Sequence, residues 1–430
     1  MPLTTEVTLL FVGLSLPQAL LGLPIAAAGV GPFPALGVVV VVGAVMTIAA
    51  AAEAEAIARD QGMRTGGFFG HLVARYLGSA AGSLPIGIAG VRTSMSVLAS
   101  YVGLSVTMAA LTGLPRELWG VLTAAAVLIL LVRGGLRIPA WAGALLGLAC
   151  LPVLAAIAVL AIRVVGDGDL GHTDFSGSEL GAVLGLAIML YISNVYALEI
   201  AREKLPHEDP DGRALIRGSA LGTVVLTVIA AAWLIATSAA LHPSMLHGEI
   251  GTVLGPLADE SGVLAAVLGT VATVLLLGLG MERTSVAVMN LVAEWVPGRV
   301  LPIAAPLALC ALGEILLAAD LVSFSGVFQV AGVATNVIVG AALPMLLLAA
   351  SRRTGDLEPG AKVPLFGSPA AVAVLIGLDA LLLVGFATVL ADDPLMRIAA
   401  VGALIALAAI LAGQRPLRRM PSRTRAASSS

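Results

Sequence analysis

Two arginines, Arg92 and Arg283, stand inside stretches that are otherwise apolar enough to cross a bilayer. A charge near the bilayer centre costs at least ~2.5 kcal/mol even on insertion scales, so it normally faces a partner or a cavity. Glu282, Glu314, Asp379 and the backbone carbonyls of a broken helix are the partners open to them. Snorkelling is the rival reading for Arg92. Its span starts near residue 80, which leaves the guanidinium about 18 Å from the surface at 1.5 Å per residue. A buried pairing is favoured. Hydroxyls follow both arginines, as Arg92-Thr93-Ser94 and Arg283-Thr284-Ser285, and the echo itself carries no weight.

Broken helices are present to supply those carbonyls. From Phe11 to Pro34 the chain is apolar throughout, yet Pro17, Gly22 and Pro24 interrupt it near its middle. Proline removes a backbone donor and clashes with the preceding turn. In hydrocarbon such a break survives only where it is buried in protein or lines a cavity. A half-helix starting near Leu21, with Gly22 and Pro24 in its first turn, would aim free amides at the bilayer centre. Amides and dipole together suit an anion such as a carboxylate, bordered by Pro17, Gln18, Ala19, Leu20 and Gly22. A merely kinked structural helix is the bland alternative. A second interruption, Tyr191-Ile192-Ser193-Asn194-Val195-Tyr196, falls five spans later, and serine and asparagine are poor residues for a helix centre. Paired interruptions at matching places in two halves of a chain point to a midplane binding site.

The elements that hold these residues are helices in a membrane. Of the 430 residues 59% are hydrophobic and 11% charged, against about 25% charged in soluble domains. Apolar runs of this length read as spanning helices. We read twelve spans, near 7–30, 34–58, 80–111, 117–132, 138–164, 180–200, 214–241, 261–292, 299–319, 323–350, 368–391 and 395–413. Cys150 and Cys310 both fall in spans and imply no disulfide framework. The N-terminus lacks the basic region of a cleavable signal. With an inside N-terminus, eighteen of the 23 basic residues fall in inner loops and tail, three (Arg116, Arg163, Arg397) in outer loops and two within spans. This positive-inside bias puts both termini in the cytoplasm of a cell-membrane protein. Glu53 and Glu55, closing the second span, are expected at the inner surface, and Glu199, Arg202, Glu203 and Lys204 in a solvated cluster beside it. Glycines spaced by three residues read as close helix packing.

Several chemistries are excluded. The five histidines fall in loops or near interfaces, and neither a Walker A motif nor H-E-x-x-H is present. An enzyme needs a nucleophile or metal constellation at depth, and the sequence holds none; a sensor would add a soluble output domain, and the loops are too short. No cofactor, bound metal or nucleic-acid partner is expected. The partners are a small-molecule substrate and the lipid bilayer.

The pattern resembles the amino acid–polyamine–organocation (APC) superfamily, whose leucine-transporter-like fold is an inverted five-helix repeat plus two helices. Leu16-Pro17-Gln18-Ala19-Leu20-Leu21-Gly22-Leu23-Pro24 stands at the family's first break, without its usual Gly-x-Gly. Tyr191-Ile192-Ser193-Asn194 stands where members carry an aromatic residue before an unwound small one. Ala201-Arg202-Glu203-Lys204, then Pro206, Pro210 and Arg213, resembles the run after span six of amino-acid permeases. Thr284-Ser285-Val286-Ala287-Val288-Met289-Asn290 resembles span eight of sodium-coupled members. The resemblance implies an all-α polytopic protein with a core over 1–350 (repeats about 7–164 and 180–350), two added helices over 351–414, and a disordered cytoplasmic tail over 415–430. It implies a secondary active transporter of an amino acid or related amine. Tyr191, Ser193 and Asn194 would serve the amine end and the gate, and Arg283, Thr284, Ser285 and Arg92 would serve coupling. Arg283 stands where sodium-dependent members place a small hydroxyl residue, so sodium-independent transport, by proton coupling or exchange, is expected. A nucleobase or inorganic-ion transporter, and a sodium-coupled amino acid symporter, remain as alternatives. The metal-transporting branch is similar to patterns of Asp-Pro-Gly-Asn and Met-Pro-His that this chain lacks.

Overall fold

A computed structural model describes residues 2–16, 18–64, 69–135, 140–164, 168–173, 176–296, 298–364 and 368–413; Pro17 and the tail 415–430 lie outside them. Among the described residues ten helices are long and apolar enough to cross a membrane. Two further segments complete the set of spans. One is the first, broken into Leu3–Ser15 and Leu23–Val30. The other is Arg116–Arg133, whose 18 residues carry charge at both ends. The chain is a multi-pass membrane protein, and the spans read from sequence correspond to those observed.

The first five spans run 3–30, Pro32–Ala58, Ser79–Thr112, Arg116–Arg133 and Ala140–Val164. The next five are 177–201, Arg213–Ala240, 263–295, Val300–Ala318 and Phe324–Thr354. Pro369–Thr388 and Pro394–Gly413 follow. Each set of five opens with a broken helix, and the two broken helices pack half against half. Leu3–Ser15 lies on Asn194–Ala201, and Leu23–Val30 on Gly177–Met189, as an inverted repeat requires. Gly31, at φ 92°, makes the tight reversal from the first span into the second, a backbone open to glycine at little cost.

The core follows the breaks. The tenth span is 83% buried over its apolar window, against 28% for the two last helices, which therefore face outward. Close crossings depend on missing side chains. A Cβ on Gly147 of the fifth span would fall on the backbone of Gly13 in the first. The eighth and tenth spans widen into π turns over Val274–Gly278 and Gly332–Ala342, inserts of a kind concentrated at functional sites.

Short helices cover the two ends. Phe69–Leu77 packs on the third and tenth spans at the end where the N-terminus lies, and Leu254–Ser261 packs on the third, fifth and eighth at the other. Basic side chains gather at the N-terminal end: Lys204 meets Glu6 at 2.6 Å, Arg202 meets the Met63 carbonyl at 2.7 Å, and Arg75 bridges Asp60 at 2.7 Å and Asp356 at 2.6 Å. One expectation is corrected here. Glu53 and Glu55 are 2% and 0% exposed, and over Glu55 the chain from Gly355 to Val363 folds back across the helix end. Glu55 accepts from Arg59 at 2.9 Å and from both Arg352 and the Val363 amide at 2.7 Å.

Candidate functional site

Between the two breaks lies a cavity of about 280 Å³. The first span contributes Gly13, Leu14, Leu16 and Gln18, and the sixth contributes Ile192, Ser193, Val195, Tyr196 and Glu199. Ala89, Arg92, Thr93 and Ser96 of the third and Gly280, Arg283 and Thr284 of the eighth form the facing wall.

The cavity lies on the N-terminal side of the breaks. On the other side the chain is closed. The Val253 amide donates to the Leu21 carbonyl at 3.1 Å, the Phe324 amide to the Ile250 carbonyl at 2.8 Å, and Thr107 to Thr252 at 3.0 Å. Leu21, Leu23, Phe324 and Phe328 are fully buried beneath this cover.

At the first break the chain makes a tight turn over Gln18–Leu21. Gln18 accepts a hydrogen bond from Ser100 Oγ at 2.7 Å, and its carboxamide lies across Gly280, where any Cβ would collide with it. Ala19 and Leu20 are buried away from the cavity. The Gly22 amide is used within the turn, donating to the Ala19 carbonyl at 3.1 Å, and a Cβ on Gly22 would meet the Phe324 ring at 3.2 Å. The anion cradle expected at Gly22 is thus closed in this structure. Pro17 lies outside the described residues.

At the second break Tyr191 to Ser193 form turns before Asn194–Ala201 begins. Ser193 lines the cavity, and its carbonyl accepts from Ser15 Oγ at 3.4 Å, joining the breaks. Asn194 is buried, its Oδ1 without a partner. Tyr191 turns away, its hydroxyl 2.8 Å from Thr227 on the seventh span and against Gly43 on the second. The sixth-span tyrosine that faces the cavity is Tyr196, 42% exposed.

Both arginines reach the breaks. Arg283 Nη1 donates to the Leu14 carbonyl at 3.1 Å, and its guanidinium lies 5.5 Å from the centre of the Tyr196 ring. Glu314 is not its partner: that carboxylate accepts from Tyr101 at 2.9 Å and lies 3.5 Å from Arg116. Arg92 Nη1 donates to Asn336 Oδ1 at 3.2 Å, and Asn336 Nδ2 to the Ile188 carbonyl at 2.6 Å. Thr284 bonds back to the Gly280 carbonyl at 2.9 Å, while Ser285 is fully buried with an unpartnered hydroxyl.

Of the residues singled out from sequence, Gln18, Ser193, Arg92, Arg283 and Thr284 come together on the cavity wall. Tyr196, Glu199, Ser96 and Gly280 were missed as wall residues, and Asn336 as the link between Arg92 and the sixth span. Glu199 accepts from the Phe69 amide at 3.2 Å and faces the cavity rather than a solvated cluster. Asn336 carried a legible signal, a carboxamide in the middle of an apolar span. Among the described residues no three His, Cys, Asp or Glu side chains converge as metal ligands would.

The geometry is shared with known structures. An inward-facing structure of Mhp1 is 14% identical, with a TM-score of 0.58 over 95% of this chain and 90% of that one. The Eremococcus coleocola manganese transporter, in complex with an aromatic bis-isothiourea compound, is 15% identical, with a TM-score of 0.58 over 96% and 92%. Mhp1 closed on bromovinylhydantoin, described as a nucleobase-cation-symport-1 family transporter, is 14% identical, with a TM-score of 0.57 over 97% and 94%. No family model and no curated protein matches the chain. At these identities the likeness establishes the fold: an inverted five-helix repeat with discontinuous first and sixth helices and two added helices, as the resemblance implied.

Proposed function

We propose that the chain is a secondary active transporter that carries an amino acid or related amine by alternating access, without sodium, driven by protons or by exchange. The observation that carries the reading is the cavity itself. It is sized for a small solute, set between two broken helices on the N-terminal side of the breaks, and covered on the other side. A site whose cover can change sides moves its occupant across the membrane.

The wall suits a zwitterion. Arg92 and Arg283 offer guanidinium groups to a carboxylate, and Glu199 and Ser193 on the same wall offer oxygens to an amine. Arg283 at the Leu14 carbonyl supplies a permanent positive charge at the carbonyl end of a half-helix, which supports the sodium-independent reading. Both termini are taken as cytoplasmic, in keeping with the basic side chains gathered at that end. No catalysis is assigned.

A planar nucleobase-like solute is the second reading. It draws on the exposed Tyr196 ring and on the similarity to a protein bound to bromovinylhydantoin. Uptake of labelled amino acids and labelled uracil into proteoliposomes, with sodium present or replaced by choline, separates the readings. Amino acid uptake unchanged in choline is expected. Uracil uptake alone, or strict sodium dependence, would overturn the assignment.

A further inference from the structure

One buried carboxylate takes no part in the cavity wall. Glu53, near the end of the second span, is 2% exposed, and its Oε1 has no hydrogen-bond partner. Glu55, two residues on, is neutralised by two arginines and an amide. The same helix therefore carries one satisfied buried carboxylate and one left open. An unpaired carboxylate ion is strongly disfavoured in such a place, so the group keeps a proton or draws a cation.

Two charges face Glu53: Arg92 of the third span attracts it, and Glu199 of the sixth repels it. Other charges near that helix are committed elsewhere. Arg59 and Arg352 hold Glu55, Arg202 holds the Met63 carbonyl, and Lys204 holds Glu6. Arg64 holds the Ala58 and Pro210 carbonyls, Asp60 pairs with Arg75, and Asp209 caps the first amides of the seventh span. Arg213 and Arg217 lie at the exposed start of that span.

Arg92 is the hinge of the arrangement. It is held by Asn336, which holds the Ile188 carbonyl where the sixth span breaks, and its Nε has no partner. Asn336 thus holds the guanidinium that a charged Glu53 would attract and that also borders the cavity.

We propose that Glu53 is the proton-carrying group of the transport cycle. The step is acid–base exchange alone. The carboxyl O–H bond breaks, its electron pair stays on Glu53, and the proton passes to water on the N-terminal side. The carboxylate so formed draws Arg92 from Asn336, which loosens the hold on the Ile188 carbonyl and frees the break to move. Reprotonation follows when the transport cycle opens the site to the opposite side, where proton activity is higher, and resets the group. This rests on the transporter reading above and names its coupling ion.

The test uses full-length wild type and Glu53→Gln in liposomes, with the twenty labelled proteinogenic amino acids as probe. A pH difference of about one unit, acidic at the proton-donating side, should raise wild-type accumulation about tenfold under one-for-one coupling. Glu53→Gln should still exchange the probe, at a rate indifferent to the gradient. Glu53→Asp, the check against a fold defect, should keep gradient-driven accumulation. Infrared spectra across a pH step should show a protonated-carboxyl band that the glutamine variant lacks. Gradient-driven accumulation persisting in Glu53→Gln, or an unchanged band, overturns the assignment of Glu53. A wild type that exchanges the probe but ignores the gradient overturns proton coupling alone. A wild type that moves no probe overturns the transporter reading and this proposal with it.

Discussion

Arg283 of the eighth span donates to the Leu14 carbonyl at 3.1 Å, so a side chain more than 260 residues away caps the broken end of the first span. Carbonyl ends of half-helices carry partial negative charge and attract cations. Here the cation is covalently part of the protein and effectively always protonated. Losing a charged hydrogen bond costs about 1.5–3 kcal/mol, or about ten- to a hundredfold in affinity. Arg283→Ala is therefore expected to lose uptake by about that factor, with lysine restoring only part, since it lacks the planar fork. Initial uptake rates of the three proteins, each with sodium and with choline, check this. A wild type that stops in choline would remove the fixed-charge explanation.

The two tyrosines of the sixth span should separate binding from closure. Tyr196 faces the cavity beneath Arg283. Its replacement by alanine removes a cation–π contact of about 0.5–2 kcal/mol and should weaken substrate binding accordingly. Tyr191→Phe removes only the 2.8 Å bond to Thr227, a stability loss of about 1 kcal/mol. Binding assays and thermal melts on both variants discriminate. Weakened binding in Tyr191→Phe would mean that Tyr191 enters the site in another conformation.

These tyrosines show where sequence reasoning stopped. Proline, glycine and apolar run length act locally, so both breaks and the order of spans were legible without structure. Which face a residue presents after a break is not local. An α-helix turns about 100° per residue and a 3₁₀ turn about 120°, so a few irregular residues rotate everything beyond them. Tyr191, expected at the gate, points to Thr227 instead, while Tyr196 borders the cavity. Glu55 looked like a surface residue because the Val363 amide that covers it lies 308 positions away. That Arg283 needs a partner at depth was legible from its charge, but the Leu14 carbonyl was one of several open to it beside Glu282, Glu314 and Asp379.

Gly280 should prove less tolerant of substitution than Gly22. A Cβ at Gly280 falls on the Gln18 carboxamide and must displace it from Ser100, whereas a Cβ at Gly22 meets the edge of the Phe324 ring at 3.2 Å. Overpacking of this kind costs about 1–3 kcal/mol. Gly280→Ala should lower both thermal stability and uptake, and adding Gln18→Ala should return stability but not uptake, a coupling that a double-mutant cycle reads directly. Additive losses would show that the two residues do not share the space.

A last expectation concerns the charged end of the bundle. Arg75 donates to Asp356 at 2.6 Å and holds that carboxyl below the usual aspartate range, while the same guanidinium reaches the buried Asp60 at 2.7 Å. A carboxyl held low binds fewer protons folded than unfolded near its ordinary pKa. Its stabilisation is therefore complete above about pH 3.9 and is lost as pH falls through the lowered folded value. Removing Arg75 would also strand Asp60, so Asp356→Asn is the cleaner change; it keeps the Arg75–Asp60 bridge and an acceptor for the Gln61 amide. The bridge is more than a third exposed on both sides, so solvent screening limits the effect to a modest drop in melting temperature at neutral pH. Melting curves of both proteins from neutral pH down to about pH 3 should converge as Asp356 of the wild type takes up its proton. A gap that stays constant over that range would show that Asp356 contributes through shape rather than charge.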